Sequence, residues 1–192
     1  EEDAFVIVSG DGWRYVYDKR KGVFAKMVYG DQNLLEQPMN YNIWRAPTDN
    51  DRNIKHQWMD AQYDKTMERA YRTEVSAADG CVVIESDVSV AAVYAQRILE
   101  IHAVWTVAGD GTVDVRLDVA KTPQFPFLPR FGLRLFLPKA MDQVTYCGIG
   151  PYESYRDKRQ AGYHGVFRSD VAGLHEDYIR PQENGAHDDC DY

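Results

Sequence analysis

Asp49, Asp51 and Asn53 place oxygen donors at alternate positions, and Asp60 follows eleven residues after Asp49, which is how a calcium loop begins. Such a loop needs Gly at its sixth position for the sharp turn and a bidentate Glu at its last. Here those positions hold Ile54 and Asp60, so the pattern excludes an EF-hand-type site. The plainer reading of the surrounding segment, NIWRAPTDND at 42–51, is structural. Asx side chains accept hydrogen bonds from free N–H groups, so Asp49 and Asp51 are expected to turn the chain and cap a helix beginning near Ile54.

Glycoside hydrolysis is the other chemistry carboxylates suggest, since two of them about 5–9.5 Å apart can flank a sugar. Asp49, Asp51, Glu153, Asp157 and Glu183 are the candidates, with Arg45, Arg156, Arg159 and Arg180 within a few positions of them. That proximity favours ion-paired scaffolding over catalysis. No Ser sits in a Gly-x-Ser-x-Gly elbow, and Cys147 in TYCGIG has no patterned His beside it, so nucleophilic catalysis finds no support. His164 and His175 fall in a polar region where an acid or base is conceivable, whereas His102 reads as a strand residue. Tyr152, Tyr155, Tyr163 and Trp44 have faces that can stack on sugar rings, but such residues more often fill cores or prop loops. Cys81, Cys147 and Cys190 are odd in number and lack metal-ligand spacing, so neither a disulfide framework nor a zinc site is expected.

The elements that would carry these residues are mostly strands. β-Branched and aromatic runs at 5–8, 13–17 and 23–29 are separated by Gly-containing turns and read as an antiparallel meander. Ala78-Asp79-Gly80 and Gly109-Asp110-Gly111 mark hairpins between 73–77 and 82–90 and between 97–107 and 112–120. In the second hairpin Ile101, Ala103, Trp105 and Val107 share one face by period-two alternation. Further strands are expected at 131–137 and 143–146. One helix is expected from about Ile54 to Met67, with Ile54, Trp58, Ala61 and Lys65 on one stripe. After Gly148 the chain turns polar and Gly- and Pro-punctuated, the composition of ordered surface loops. Nothing resembles a linker, so a single domain over 1–192 is expected.

Composition agrees with a globular chain, being 44% hydrophobic and 12% aromatic over 192 residues. A net charge of −8 without a clustered Lys/Arg surface argues against a nucleic-acid partner. No apolar run approaches the roughly 18 residues of a membrane helix, and EEDAFVIVSG has no signal-peptide pattern. The first residue is not Met, and AHDDCDY ends without a turn or cap, so an excised fragment is expected, incomplete at its C-terminus.

Three segments taken together carry a resemblance. NIWRAPTDND at 42–51, GIGPYESYRDKR at 148–159 and YIRPQENG at 178–185 resemble, in this order and at similar separations, the C-terminal portion of bacterial β-galactosidases of glycoside hydrolase family 2. The resemblance runs from the first strand to Gly185. It departs from the family pattern in the middle segment, where Lys158 stands between Asp157 and Arg159.

The resemblance implies an all-β fold, a large antiparallel β-sandwich of the galactose mutarotase-like type that follows a catalytic barrel. It implies that the catalytic glutamates and the divalent and monovalent cations belong to that barrel, leaving this chain with no catalytic residue, metal or cofactor. The parent would be an oligomeric β-galactosidase acting on terminal β-D-galactosides such as lactose, its compartment, bacterial cytoplasm or periplasm, left open. The partners implied are the catalytic part of the same enzyme and the galactoside. Asp51, Arg52, Asn53 and His56 would then border the substrate pocket. Trp44, Arg45, Pro47, Asp49, Gly150, Pro151, Glu153, Tyr155, Arg180, Pro181, Glu183 and Asn184 would hold the motifs, with Arg45 paired to a loop carboxylate. Two competing readings are an autonomous carbohydrate-binding module and an aldose mutarotase-like enzyme using two histidines and a carboxylate.

Overall fold

The computed structural model describes residues 3–180 and 182–192. Twelve antiparallel strands and one short helix appear among them, in the order β1 (Phe5–Gly10), β2 (Trp13–Asp18), β3 (Val23–Tyr29), β4 (Gln32–Asn33), β5 (Gln37–Asn42), α1 (Lys55–Asp60), β6 (Thr66–Ala78), β7 (Cys81–Ala92), β8 (Leu99–Val107), β9 (Val113–Lys121), β10 (Gly132–Phe136), β11 (Gln143–Gly150) and β12 (Tyr163–Asp170). The all-β expectation holds. The chain falls into two compact units, Glu1–Arg45 with Asn53–Pro138, and Ala46–Arg52 with Lys139–Tyr192.

In the first unit the expected meander forms the sheet β1-β2-β3-β4 and the two hairpins form β6-β7-β8-β9, while β5 pairs with β10. The two four-stranded sheets face each other. Alternation in β8 works as its sequence requires: Leu99, Ile101, Ala103, Trp105 and Val107 are buried, and the residues between them are not. Tyr17 and Phe24 from the first sheet meet Trp105 edge-on at 6.2 and 5.2 Å between ring centroids. Tyr17 Oη shares a 2.9 Å hydrogen bond with Ser86 Oγ, and burial pushes the Tyr17 phenol well up. Trp13 Nε1 and Tyr15 Oη donate to the carbonyls of Gly109 and Gly111 at 3.2 and 2.9 Å, fastening β2 to the β8–β9 turn. Gly111 adopts φ +88°, which an L side chain would strain.

Two expectations need correction here. The helix expected to Met67 stops at Asp60, because Gln62 enters the left-handed region at φ 56°. A 3-10 turn at Tyr63–Lys65 follows, and β6 begins at Thr66, taking Met67 into strand. Nor is the N-cap of α1 an Asx residue: it is Ile54, whose side chain makes no capping hydrogen bond, and Asp49 and Asp51 lie in a separate 3-10 turn.

The second unit contains the hairpin β11–β12, paired from Gln143↔Asp170 to Gly150↔Tyr163. Residues 163–170 were expected in a loop, and β11 was expected to end at Tyr146. Period two fails to reveal β12 because its sheltered face carries Gly165, Phe167 and Ser169, none of them fully buried, so little hydrophobic alternation is written into YHGVFRSD. Among the described residues no helix is long and apolar enough to cross a membrane.

Candidate functional site

Trp58, Tyr63 and Arg45 converge on one loop of the first unit. Trp58 is fully buried and donates Nε1–H to Phe127 O at 2.9 Å, with the Phe127 ring edge-on at 5.6 Å. Tyr63 Oη donates to Pro126 O at 2.8 Å, and burial pushes its phenol up to about 12. Arg45 Nε donates to Pro129 O at 3.2 Å while its guanidinium lies 5.6 Å from the Trp58 ring centroid. Three donors thus satisfy carbonyls along a Pro-rich loop that makes few ladder bonds of its own. Trp44 packs against the core, and its backbone is fixed by Asn42, which donates Nδ2–H to Trp44 O at 2.9 Å. Pro47 is half-buried beyond it.

The Asp-Asn-Asp triplet forms a 3-10 turn, Asp49–Asp51, in the second unit. Asp51 is buried, and its Oδ2 accepts from Thr48 N at 2.8 Å and Thr48 Oγ1 at 3.0 Å. This is the returning half of a capping box, so the Asp51 carboxylate closes its own turn. Asp49 N donates to Gln182 Oε1 at 2.9 Å, and Asn50 Nδ2 donates to Asp157 Oδ2 at 2.9 Å. The first motif is thereby tied to both of the others.

Glu153 is the centre of the second unit. Its side chain is 1% exposed, and it accepts from Lys158 Nζ and, at 3.0 Å, from Gly185 N. Gly185 sits at φ +77°, and a Cβ there would stand 2.9 Å from Leu174 O, so the position requires Gly. Lys158 also donates to Tyr178 Oη, lies 4.5 Å from the Tyr178 ring centroid and stands 3.5 Å from Glu176 Oε2. The hydrogen-bonded Glu153 carboxylate, foremost, holds the Lys158 ammonium above its ordinary range. Ser154, equally buried, donates its N–H to Ala186 O at 2.9 Å and accepts from Asp188 N at 2.5 Å. Gly150 and Pro151 enter this segment through a cis peptide, and Tyr146 Oη donates to Pro151 O at 3.3 Å. Tyr155 is half-buried; its carbonyl accepts from Lys158 N and Arg159 N at 2.7 and 2.9 Å. Glu183 and Asn184 are half-buried, Arg180 is exposed, and Pro181 lies outside the described residues.

Of the rim candidates, Asp51 faces inward, whereas Arg52, Asn53 and His56 are exposed. Asp51 and Arg52 belong to the second unit, Asn53 and His56 to the first. Lys158, the departure from the family pattern, supplies the charge beside Glu153, and Arg159 pairs instead with Asp189. Sequence reading missed Thr48, although Thr three residues before Asp is a capping-box signal. It also missed Gln182 and Ser154, whose roles depend on chain separations of 133 and 34 residues.

Residues 9–192 match the family model described as beta galactosidase small chain. The chain belongs to that family. It is 37% identical over 193 residues to a beta-galactosidase of Actinobacillus pleuropneumoniae and 34% identical over 193 residues to one of Staphylococcus xylosus, using all of this chain and 19% of each relative. A beta-galactosidase of Lactobacillus delbrueckii subsp. bulgaricus is 29% identical over 181 residues, with 93% of this chain and 18% of the relative covered. The small-chain segment therefore spans about a fifth of the length of these relatives.

Proposed function

We propose that this chain is the non-catalytic C-terminal region of a β-galactosidase that hydrolyses terminal β-D-galactosides such as lactose. It packs on the catalytic part of the same enzyme and supplies part of the carbohydrate-binding rim. The observation that carries this reading is the end-to-end match to a fifth of several beta-galactosidases. The galactoside, the catalytic barrel with its divalent and monovalent cations, and the oligomeric assembly belong to the parent.

The disposition of the carboxylates supports the non-catalytic role. Glu153 is enclosed and neutralised by Lys158, and Asp51 is committed to Thr48, so each performs a structural task. Arg52 is exposed in the second unit, next to the anchored Asp51, and Asn53 and His56 are exposed in the first. A guanidinium, an amide and an imidazole offer directional hydrogen bonds suited to sugar hydroxyls. Groups of this kind at a pocket rim orient a glycoside, lowering the barrier through positioning while proton transfer occurs elsewhere.

The test is complementation. A parent enzyme truncated before this region is mixed with the separately produced region, and galactoside hydrolysis is followed after complex formation. Activity should rise on association; a folded, bound complex with no gain overturns the rim role.

A further inference from the structure

Cys147, His164 and Asp191 are far apart in the sequence and carry no ligand spacing, yet strand pairing brings them together in the second unit. Cys147 faces Val166 across β11–β12 and Ile149 faces His164. Residues two apart on a strand share a face, which makes Cys147 and His164 diagonal neighbours on one side of the hairpin. The C-terminal segment runs along the free edge of β11. Asp191 N donates to Cys147 O at 2.7 Å, and Cys147 N donates to Tyr192 O at 2.9 Å. Asp191 therefore stands beside Cys147, opposite β12.

One carboxylate oxygen is the meeting point. Asp191 Oδ2 lies 3.6 Å from Cys147 Sγ and 3.4 Å from His164 Nε2, and the three ligand atoms are all within 4.8 Å of one another. Zinc–sulfur bonds of about 2.3 Å and zinc–nitrogen or –oxygen bonds of about 2.0–2.1 Å require tetrahedral edges of about 3.5 Å from S to O and about 3.3 Å from N to O. The 3.6 Å and 3.4 Å separations match these two edges. A thiolate, an imidazole and a carboxylate form a borderline-soft set that suits zinc and disfavours magnesium or calcium, which take oxygen ligands.

The geometry points to a surface zinc-class divalent metal site formed by Cys147, His164 and Asp191, with its fourth position open to solvent. His164 and Asp191 have side chains 48% and 68% exposed, so an ion has direct access and a water completes the tetrahedron. Binding would exchange the thiol proton for the metal and pin the C-terminal segment to the hairpin.

Cobalt(II) substitution reads the sulfur ligand directly. The intact protein and its Cys147→Ser, His164→Gln and Cys190→Ser variants are titrated with cobalt, then with zinc against a chromophoric chelator. The wild type should gain a thiolate-to-cobalt charge-transfer band in the near ultraviolet, and one more bound zinc than Cys147→Ser. His164→Gln, at an exposed position, should bind at least about tenfold more weakly without changing the metal-free melting temperature. Cys190→Ser should keep the band. Absence of the band from the wild type, or its survival in Cys147→Ser, would overturn the site.

Discussion

Lys158 reaches the carboxylate of Glu153 from five residues further along the chain, and the carboxylate is buried while the lysine remains 38% exposed. Removing the lysine leaves a buried negative charge with the Gly185 N–H as its remaining described donor. Because Lys158 is partly solvated, Lys158→Met should lower stability by about 1–2 kcal/mol, less than a fully buried pair would lose. Urea denaturation of the two proteins measures it; coincident midpoints would contradict the assignment.

The same pair makes the second unit sensitive to alkali. A lysine whose folded pKa lies above its unfolded value of 10.5 contributes stability that is fully present below that value and fades as pH rises through the folded value. Stability of the wild type should therefore fall above about pH 10.5, with Tyr and other Lys residues contributing a common background. Lys158→Met should show a shallower loss over that window. Equal slopes in paired alkaline melts would remove the linkage.

Trp58 and Tyr63 should differ in what they lose. Trp58→Ala empties a fully buried site and leaves the Phe127 carbonyl without its donor, for about 3–5 kcal/mol. Tyr63→Phe removes only the hydrogen bond to Pro126, for about 1 kcal/mol. Thermal denaturation with hydrogen exchange over residues 122–130 should rank them in that order, with the loop opening in both.

Neighbouring residues of the first motif should separate stability from substrate binding. Asp51→Ala breaks the turn with Thr48 and should lower stability by about 1 kcal/mol. Arg45→Ala should also destabilise, through loss of the Pro129 hydrogen bond and the stack on Trp58. Identical melting losses in Arg52→Ala would collapse the distinction between anchoring and exposed residues.

Much of this arrangement is legible in the sequence because the first unit obeys simple periodicities. β8 alternates cleanly, Asp-Gly turns mark both long hairpins, and each predicts a pairing that forms. β12 is invisible to the same rule because neither face of YHGVFRSD is wholly buried. The expected helix overruns the real one because its apolar stripe continues past Asp60, where Gln62 turns left-handed and Tyr63 is anchored on Pro126. At the site, motif order identifies which segments matter, while the partners of Glu153 and Asp49 depend on chain closure that no local pattern records.

Steady-state kinetics of the parent β-galactosidase carrying Arg52→Ala test the rim role most directly, using a galactoside and a melting curve on the same preparation. The account predicts KM raised several-fold with an unchanged melting temperature, because Arg52 is exposed and the turn behind it is closed by Asp51 and Thr48. Unchanged KM and kcat in a folded, assembled enzyme would contradict it.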